Sequence, residues 1–536
     1  MFLLSLLFAC NGGGADVLAP VDARYADIML SLGAADRDTT RNVHNKDARR
    51  RKADAEGDKV AFFRDDKVKA AIDEAAKAPE GTSLRVRGEH YARQAMVTRA
   101  WTEADKAEET RLLGALDEAQ SATAEWFSPD GHKFVLDRAW DEASKEADTL
   151  PDAQRQDLAR AFVQHRMRLA GADLQALVSL RNEVAKRAGH DNYYKLSLAA
   201  QGIEENDLEA VIGEMEAVVK PVYEADRAAL AATGEVDDFA NHPRLRRAAK
   251  LDADRDRAES YFDGDLAEDR IVTAYRDMGF DTSTLQLYTG PSRVVRPGVY
   301  GFAIQPPQFV AIVLSVDERW SAWPYEALIH ELGHAVWWMN LSPEAAKSPA
   351  TWEPDAPWFE GYAQFFERVL AEPAFTAKYV PELPEADRAP FRGARAREVA
   401  DGIVDAIVTS RAERRLYENP GDLAGAFQVA IDTRVALTGS PLPPAGGPAY
   451  DPALLSGLAW HYPAYSPNYL YAYMTEARLW DAVAKNVGDP VANPKLAPFL
   501  VDKLVRQPVT TPFAARLDAI APGDRAGPLK AYLGGG

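Results

Sequence analysis

Apolar positions recur at spacings of three and four along most of the chain, and this period predicts one α-helix after another. From about Val21 to Asp237 the remaining positions are rich in Ala, Glu, Lys, Arg and Leu. These residues lose little side-chain freedom in a helix, so local propensity and pattern agree. The clearest segments are Lys67 to Lys77, Gly88 to Gln120, Ala153 to Gly171 and Asp173 to Ala188. Turn-forming clusters separate them at Pro79-Glu80-Gly81, Ser128-Pro129-Asp130-Gly131 and Leu150-Pro151-Asp152. Thr39 to Gly57 is strongly charged and weakly apolar, as a solvated helix or loop is.

The period changes between Val294 and Ser315. Val299 to Ile304 and Phe309 to Leu314 are short β-prone runs around Gln305-Pro306-Pro307-Gln308, which predicts a hairpin. Helix resumes near Trp323, with Pro324 in the first turn, where its missing N–H costs nothing. Helical pattern then runs to the end, apart from a Pro/Gly-rich loop at Gly439 to Pro448. The fold class is therefore mainly α with one small β-element. A chain of 536 residues can bury a large core and usually has more than one lobe. The expected division is an N-terminal helical lobe over residues 21–240 and a second lobe over 241–536.

Composition sharpens this picture in two ways. With Lys+Arg 62 against Asp+Glu 81 the net charge is −19, so there is no electrostatic case for binding nucleic acid. The single cysteine, Cys10, excludes an internal disulfide and Cys-based structural zinc. Cys10 follows an apolar run of nine residues ending in Ala9, and Asn11-Gly12-Gly13-Gly14 follows it as a flexible tether. This resembles the lipobox of a bacterial lipoprotein. The resemblance implies a signal peptide over residues 1–9, a tether over 10–20, a lipid anchor on Cys10 and a place in the cell envelope. It departs from the pattern in having no Lys or Arg before the apolar run. No other run approaches the roughly 20 apolar residues of a spanning helix.

The chemistry centres on His330-Glu331-Leu332-Gly333-His334. Four residues apart on a helix, His330 and His334 share one face and can hold one metal ion, for which zinc is suited. Glu331 beside them is placed to take a proton from an activated water and return it to a leaving amine. Leu328, Ile329, Leu332, Ala335, Val336, Trp337 and Trp338 make the helix a buried one. No histidine lies between His334 and His461, so a third His shortly downstream is excluded and a carboxylate is expected instead. Glu360 opens a second helical run, Pro357 to Glu367, at a distance that lets it fold back on the first. Gly361 would allow the two helices to approach closely, and Gln364, one turn on, could orient a ligand. Glu353 and Glu367 are the rivals for the third ligand.

Charge that develops on a peptide carbonyl needs a hydrogen-bond donor beside the metal. His461 is the only histidine after the zinc motif, and five tyrosines follow it within twelve residues: Tyr462, Tyr465, Tyr469, Tyr471 and Tyr473.

Here the chain resembles angiotensin-converting enzyme and its bacterial relatives. More distantly it is similar to thimet oligopeptidase and the oligoendopeptidases. The family pattern has a histidine, prolines two and six residues on, and a catalytic tyrosine ten on, where this chain has His461, Pro463, Pro467 and Tyr471. The resemblance implies a two-lobed helical metallopeptidase fold with a deep central channel and a β-element whose edge binds substrate backbone. It implies one zinc on His330, His334 and Glu360, short peptides as substrates, and oxyanion stabilisation by His461 and Tyr471. The second lobe is then the catalytic one. In the thimet-like register the donor is Tyr469 or Tyr473. The chain departs from the converting-enzyme pattern at Ala459, Asn468 and Leu470, where that family binds a substrate carboxylate and chloride, and at Gln364, where it has aspartate. The resemblance implies a glutamate-ligated zinc peptidase of peptidyl-dipeptidase or oligopeptidase type, and these departures leave open both the release of dipeptides from a C-terminus and chloride activation.

Overall fold

The computed structural model describes residues 16–121, 124–127, 131, 133–136, 152–233, 251–296, 298–307, 309–315, 321–439, 454 and 457–534. Cys10 and the apolar run before it lie outside these residues. Among the described residues no helix is long and apolar enough to cross a membrane.

The fold is mainly α, as the pattern requires, but local chemistry moves some boundaries. The segment Gly88 to Gln120 is two helices, Ser83–Ala100 and Glu103–Ser121. Thr102 and Asp105 form a reciprocal cap at the break: each side-chain oxygen accepts the other residue's backbone N–H, at 3.1 and 2.9 Å. Conversely, Ala153 to Gly171 and Asp173 to Ala188 belong to one helix, Asp152–Arg187. A lone Gly171 costs only about 1 kcal/mol in a helix interior, which long-range packing overrides. The charged stretch Thr39 to Gly57 is covered by two helices, Ala19–Arg41 and Lys46–Arg64, the second capped by Asn45 on the Ala48 amide.

The expected hairpin is present. Val299–Gln305 pairs antiparallel with Phe309–Ser315. A third strand, Leu285–Gly290, joins parallel to Phe309–Ser315 and makes that strand the central one. Val310 to Leu314 are buried on both faces, which explains their continuous apolar run. Val299–Gln305 is left as an edge strand, packed against the helix Trp323–Met339 that carries the zinc motif.

Two large cores organise the described residues. One gathers Leu177, Val211, Ile407, Phe427 and Leu470; the other gathers Tyr275, Leu332, Trp337, Phe366 and Leu479 around the motif helix. The chain crosses between them more than once, so residue 240 does not separate one core from the other. A smaller core of Tyr25, Phe62, Phe63, Ile72 and Tyr91 knits the first helices together.

Candidate metal centre

The motif helix Trp323–Met339 buries Leu328, Ile329, Leu332 and Val336 and keeps His330 and His334 one turn apart. Helix Ala356–Ala371 crosses it at Gly333. A Cβ at Gly333 would stand 2.9 Å from Ala363 Cα, so the glycine permits the approach. Gly361 does a different job from the one expected: it meets the side chain of Thr475, and thus lets a third helix, Ser466–Asn486, pack close behind Glu360.

Three donors converge. His334 Nε2 lies 3.1 Å from His330 Nε2, and Glu360 Oε2 lies 3.4 Å from His330 Nε2. One ligand atom from each of the three residues falls within 4.8 Å of the others. Four-coordinate zinc with bonds of about 2.0–2.1 Å needs neighbouring ligand atoms about 3.3 Å apart, and the two edges that meet at His330, 3.1 and 3.4 Å, match that spacing. The rivals are elsewhere. Glu353 accepts the Trp338 indole N–H at 3.2 Å. Glu367 stands on the far side of His330, its Oε1 2.6 Å from Nδ1. This is the orienting place expected for Gln364, whose buried Oε1 has no hydrogen-bond partner among the described residues.

The electrostatics ask for a cation here. Burial alone would lower His330, but Glu360 and Glu367 on its two nitrogens raise it well above the usual imidazole range. Burial together with the neighbouring His330 pushes His334 down to about 3. Burial would raise Glu360, yet hydrogen bonds from His330 and Tyr465 and the charge of the imidazoles bring it down to about 2. Two carboxylates around a pair of imidazoles that cannot both be protonated make a site for a metal ion. Glu331 is different: burial pushes it up to about 7, which His330 opposes and Glu360 reinforces. A carboxylate near neutrality is suited to exchange protons. The Gly301 amide on the edge strand donates to it, and a Cβ at Gly301 would sit 2.7 Å from Glu331 Oε2.

The aromatic segment is where the structure departs most from expectation. His461 is exposed, and its Nε2 meets Asp117 at 2.8 Å. Tyr471 is buried and donates to Asp207 at 2.8 Å. Neither hydrogen-bonds the metal cluster among the described residues. Tyr473 packs its hydroxyl against Gly402. The hydroxyl that reaches the cluster is that of Tyr465, donating to Glu360 Oε1 at 2.6 Å. Tyr469 lies edge-on to it at 5.7 Å and feels the charges of Glu360, Glu367 and Glu331. The signal for Tyr465 was available in the sequence: it stands four residues before Tyr469, which places both on one helical face. Asn468 is fully buried and donates to Gln201, and Leu470 fills the first core. Two of the four departures from the converting-enzyme pattern, Asn468 and Leu470, thus have packing roles here.

No protein-family model and no curated protein matches the sequence. Solved structures do match over nearly the whole chain. The carboxypeptidase of Pyrococcus furiosus aligns with a TM-score of 0.68 at 15% identity, covering 97% of this chain and 99% of that one. The M32 carboxypeptidase of Deinococcus radiodurans gives 0.62 at 15% identity, covering 97% of each. A putative oligoendopeptidase F of Bacillus anthracis gives 0.58 at 12% identity, covering 97% of this chain and 90% of that one. The chain therefore shares the mainly helical fold of these carboxypeptidases and oligoendopeptidases. The likeness lies with carboxypeptidases and oligoendopeptidases, and not with the converting-enzyme family to which the spacing of His461 and Tyr471 pointed.

Proposed function

We propose that this chain is a zinc-dependent peptidase that hydrolyses short peptides. The observation that carries the reading is the convergence of ligand atoms from His330, His334 and Glu360 to within 4.8 Å of one another, with Glu331 beside them. The shared fold of solved carboxypeptidases and an oligoendopeptidase supports it. Zinc, when bound, supplies a Lewis acid that polarises the scissile carbonyl and makes water acidic enough to react near neutral pH. Glu331 takes the proton of the attacking water and passes it to the leaving amine. Tyr469 donates to the developing oxyanion, and Tyr465 turns its single O–H from Glu360 to the same oxygen as charge develops there. Burial raises both phenols, so both keep the proton they must share at neutral pH. The strand Val299–Gln305, at the edge of the sheet and next to Glu331, offers its outer backbone to an extended peptide.

The test is direct. The purified protein should carry about one zinc per chain, removable by a chelator. Glu331→Gln should keep the metal and the fold and lose hydrolysis of fluorogenic peptides. Wild-type rates in that variant would overturn the reading.

A further inference from the structure

The donor tyrosines enter the site on a very short piece of chain. Only Tyr462 to Tyr465 separate the helix Gly457–His461 from the helix Ser466–Asn486. Ala464 lies in the left-handed region at φ 56°, a conformation that non-glycine residues adopt only when their surroundings impose it. The imposing groups can be named. Arg181 donates to the Trp460 carbonyl at 2.6 Å. Glu413 Oε1 accepts the Ala464 N–H at 3.3 Å. Gln201 Nε2 donates to the Ala464 carbonyl at 3.0 Å, and its oxygen accepts from Asn468, one residue before Tyr469. Arg181 and Glu413 are 2% and 1% exposed. Arg181 is held in turn by Glu109 at 3.0 Å and by the Tyr417 hydroxyl at 3.3 Å.

Taking the Arg181–Glu109 ion pair out of water, and a Glu413 carboxyl that burial pushes up to about 8, costs more than a surface loop requires, and hydrophobic packing is often the more stable choice at such a place. The location of Arg181, Gln201 and Glu413 is informative. They belong to helices Asp152–Arg187 and Glu385–Glu418 and to the end of helix Tyr193–Ala200, whose apolar residues fill the first core. The motif helix belongs to the other core. The first core thus holds the backbone from which Tyr465 reaches across to Glu360.

We propose that Arg181, Gln201 and Glu413 are positioning residues that set where the Tyr465 and Tyr469 hydroxyls stand over the metal centre. This rests on the peptidase reading above. The three do not touch the reacting atoms; they fix both peptide groups of Ala464 and the carbonyl of Trp460, and through them the first turn of the tyrosine helix.

The experiment compares Gln201→Ala, Glu413→Ala and Glu413→Gln, each with zinc and with cobalt(II) in its place. Both alanine variants should lower kcat on the order of tenfold or more, because small misplacements of a donor are costly. KM should stay within about twofold, and metal content should remain at one per chain. Glu413→Gln keeps the acceptor for the Ala464 amide and should recover most of kcat. The visible absorption of the cobalt protein should shift in Gln201→Ala in the same sense as in Tyr465→Phe, since both release Glu360 from its hydroxyl. Unchanged kcat with an unchanged cobalt spectrum would overturn the proposal, as would a loss of kcat that tracks loss of metal, or Glu413→Gln as damaging as alanine. If Glu413→Ala does not fold, Gln201→Ala decides alone. If the wild type cleaves no peptide, the peptidase reading fails, while the cobalt spectra still decide the positioning.

Discussion

Glu367 and His330 meet across two helices, with the carboxylate Oε1 2.6 Å from the imidazole Nδ1. That contact fixes the tautomer and leaves Nε2 for the metal. Arg395 supports it from behind, 3.4 Å from Glu367 Oε2. Glu367→Ala should therefore weaken metal binding about 10–100-fold. Competition with a chelator of known affinity reads this, and an unchanged affinity would remove Glu367 from the centre. Glu367→Gln, which can still accept a hydrogen bond, should lose less.

The tyrosines can be told apart by kinetics. Tyr465→Phe and Tyr469→Phe should each lower kcat, by about 10²–10³ for a lost oxyanion donor. Tyr471→Phe removes only the bond to Asp207 and should leave kcat nearly unchanged while lowering the melting temperature. If Tyr471→Phe instead costs the most, the ten-residue spacing from His461 regains its meaning.

Gly333→Ala tests the helix crossing. The new Cβ would meet the backbone of Ala363 at 2.9 Å, and backbone cannot swing aside as a side-chain tip can. The expected loss is about 1–3 kcal/mol of stability. The same displacement moves Glu360 away from His334, so metal affinity should fall with it. Denaturant unfolding of the metal-free protein and chelator competition measure the two effects separately. A variant as stable as the wild type would show that the helices have room to spare.

His90 gives a prediction in pH. Burial, with Arg93 and Lys59 near, pushes it down to about 4. In the unfolded chain it titrates near ~6.5, so between those values the unfolded state binds a proton that the folded state does not. Its stabilising contribution is complete above ~6.5 and is lost as pH falls toward 4, up to roughly 3 kcal/mol. His90→Gln should flatten the melting temperature against pH within that window. Equal acid sensitivity in both proteins would contradict the assignment.

The cluster of His330, His334 and Glu360 was legible because each member rests on short-range geometry. His330 and His334 are one turn apart on any helix, and Glu360 needs only a loop long enough to fold back. The hairpin was legible from its period and its Gln305 to Gln308 turn. Its parallel partner Leu285–Gly290 was not, because nothing in a six-residue run says which distant strand it will meet. The split at Trp101 was missed although Thr102 and Asp105 carry a capping pattern, since the apolar period runs through it.

Gly361 shows the same limit from another side. The sequence placed a glycine where two helices approach, and only packing chose Ser466–Asn486, not the motif helix, as the partner. Glu367 and Gln364 were both within reach of a ligand, and the rotation of helix Ala356–Ala371 selected Glu367.

By itself the sequence determined a mainly helical chain and the grouping of His330, Glu331, His334 and Glu360. All follow from periodicity within one helix or between two neighbours. Tertiary structure decided which tyrosines face the His330, His334 and Glu360 cluster. Tyr469 and Tyr471 are two residues apart, about 200° around a helix, so they face opposite ways. The helix phase is set where the chain enters it, at Ala464, whose left-handed backbone is held by Arg181, Gln201 and Glu413 from remote parts of the chain. A local pattern cannot carry that information, because the torsion of one residue is imposed there by contacts hundreds of residues away, at 263 positions for Gln201 and 279 for Arg181.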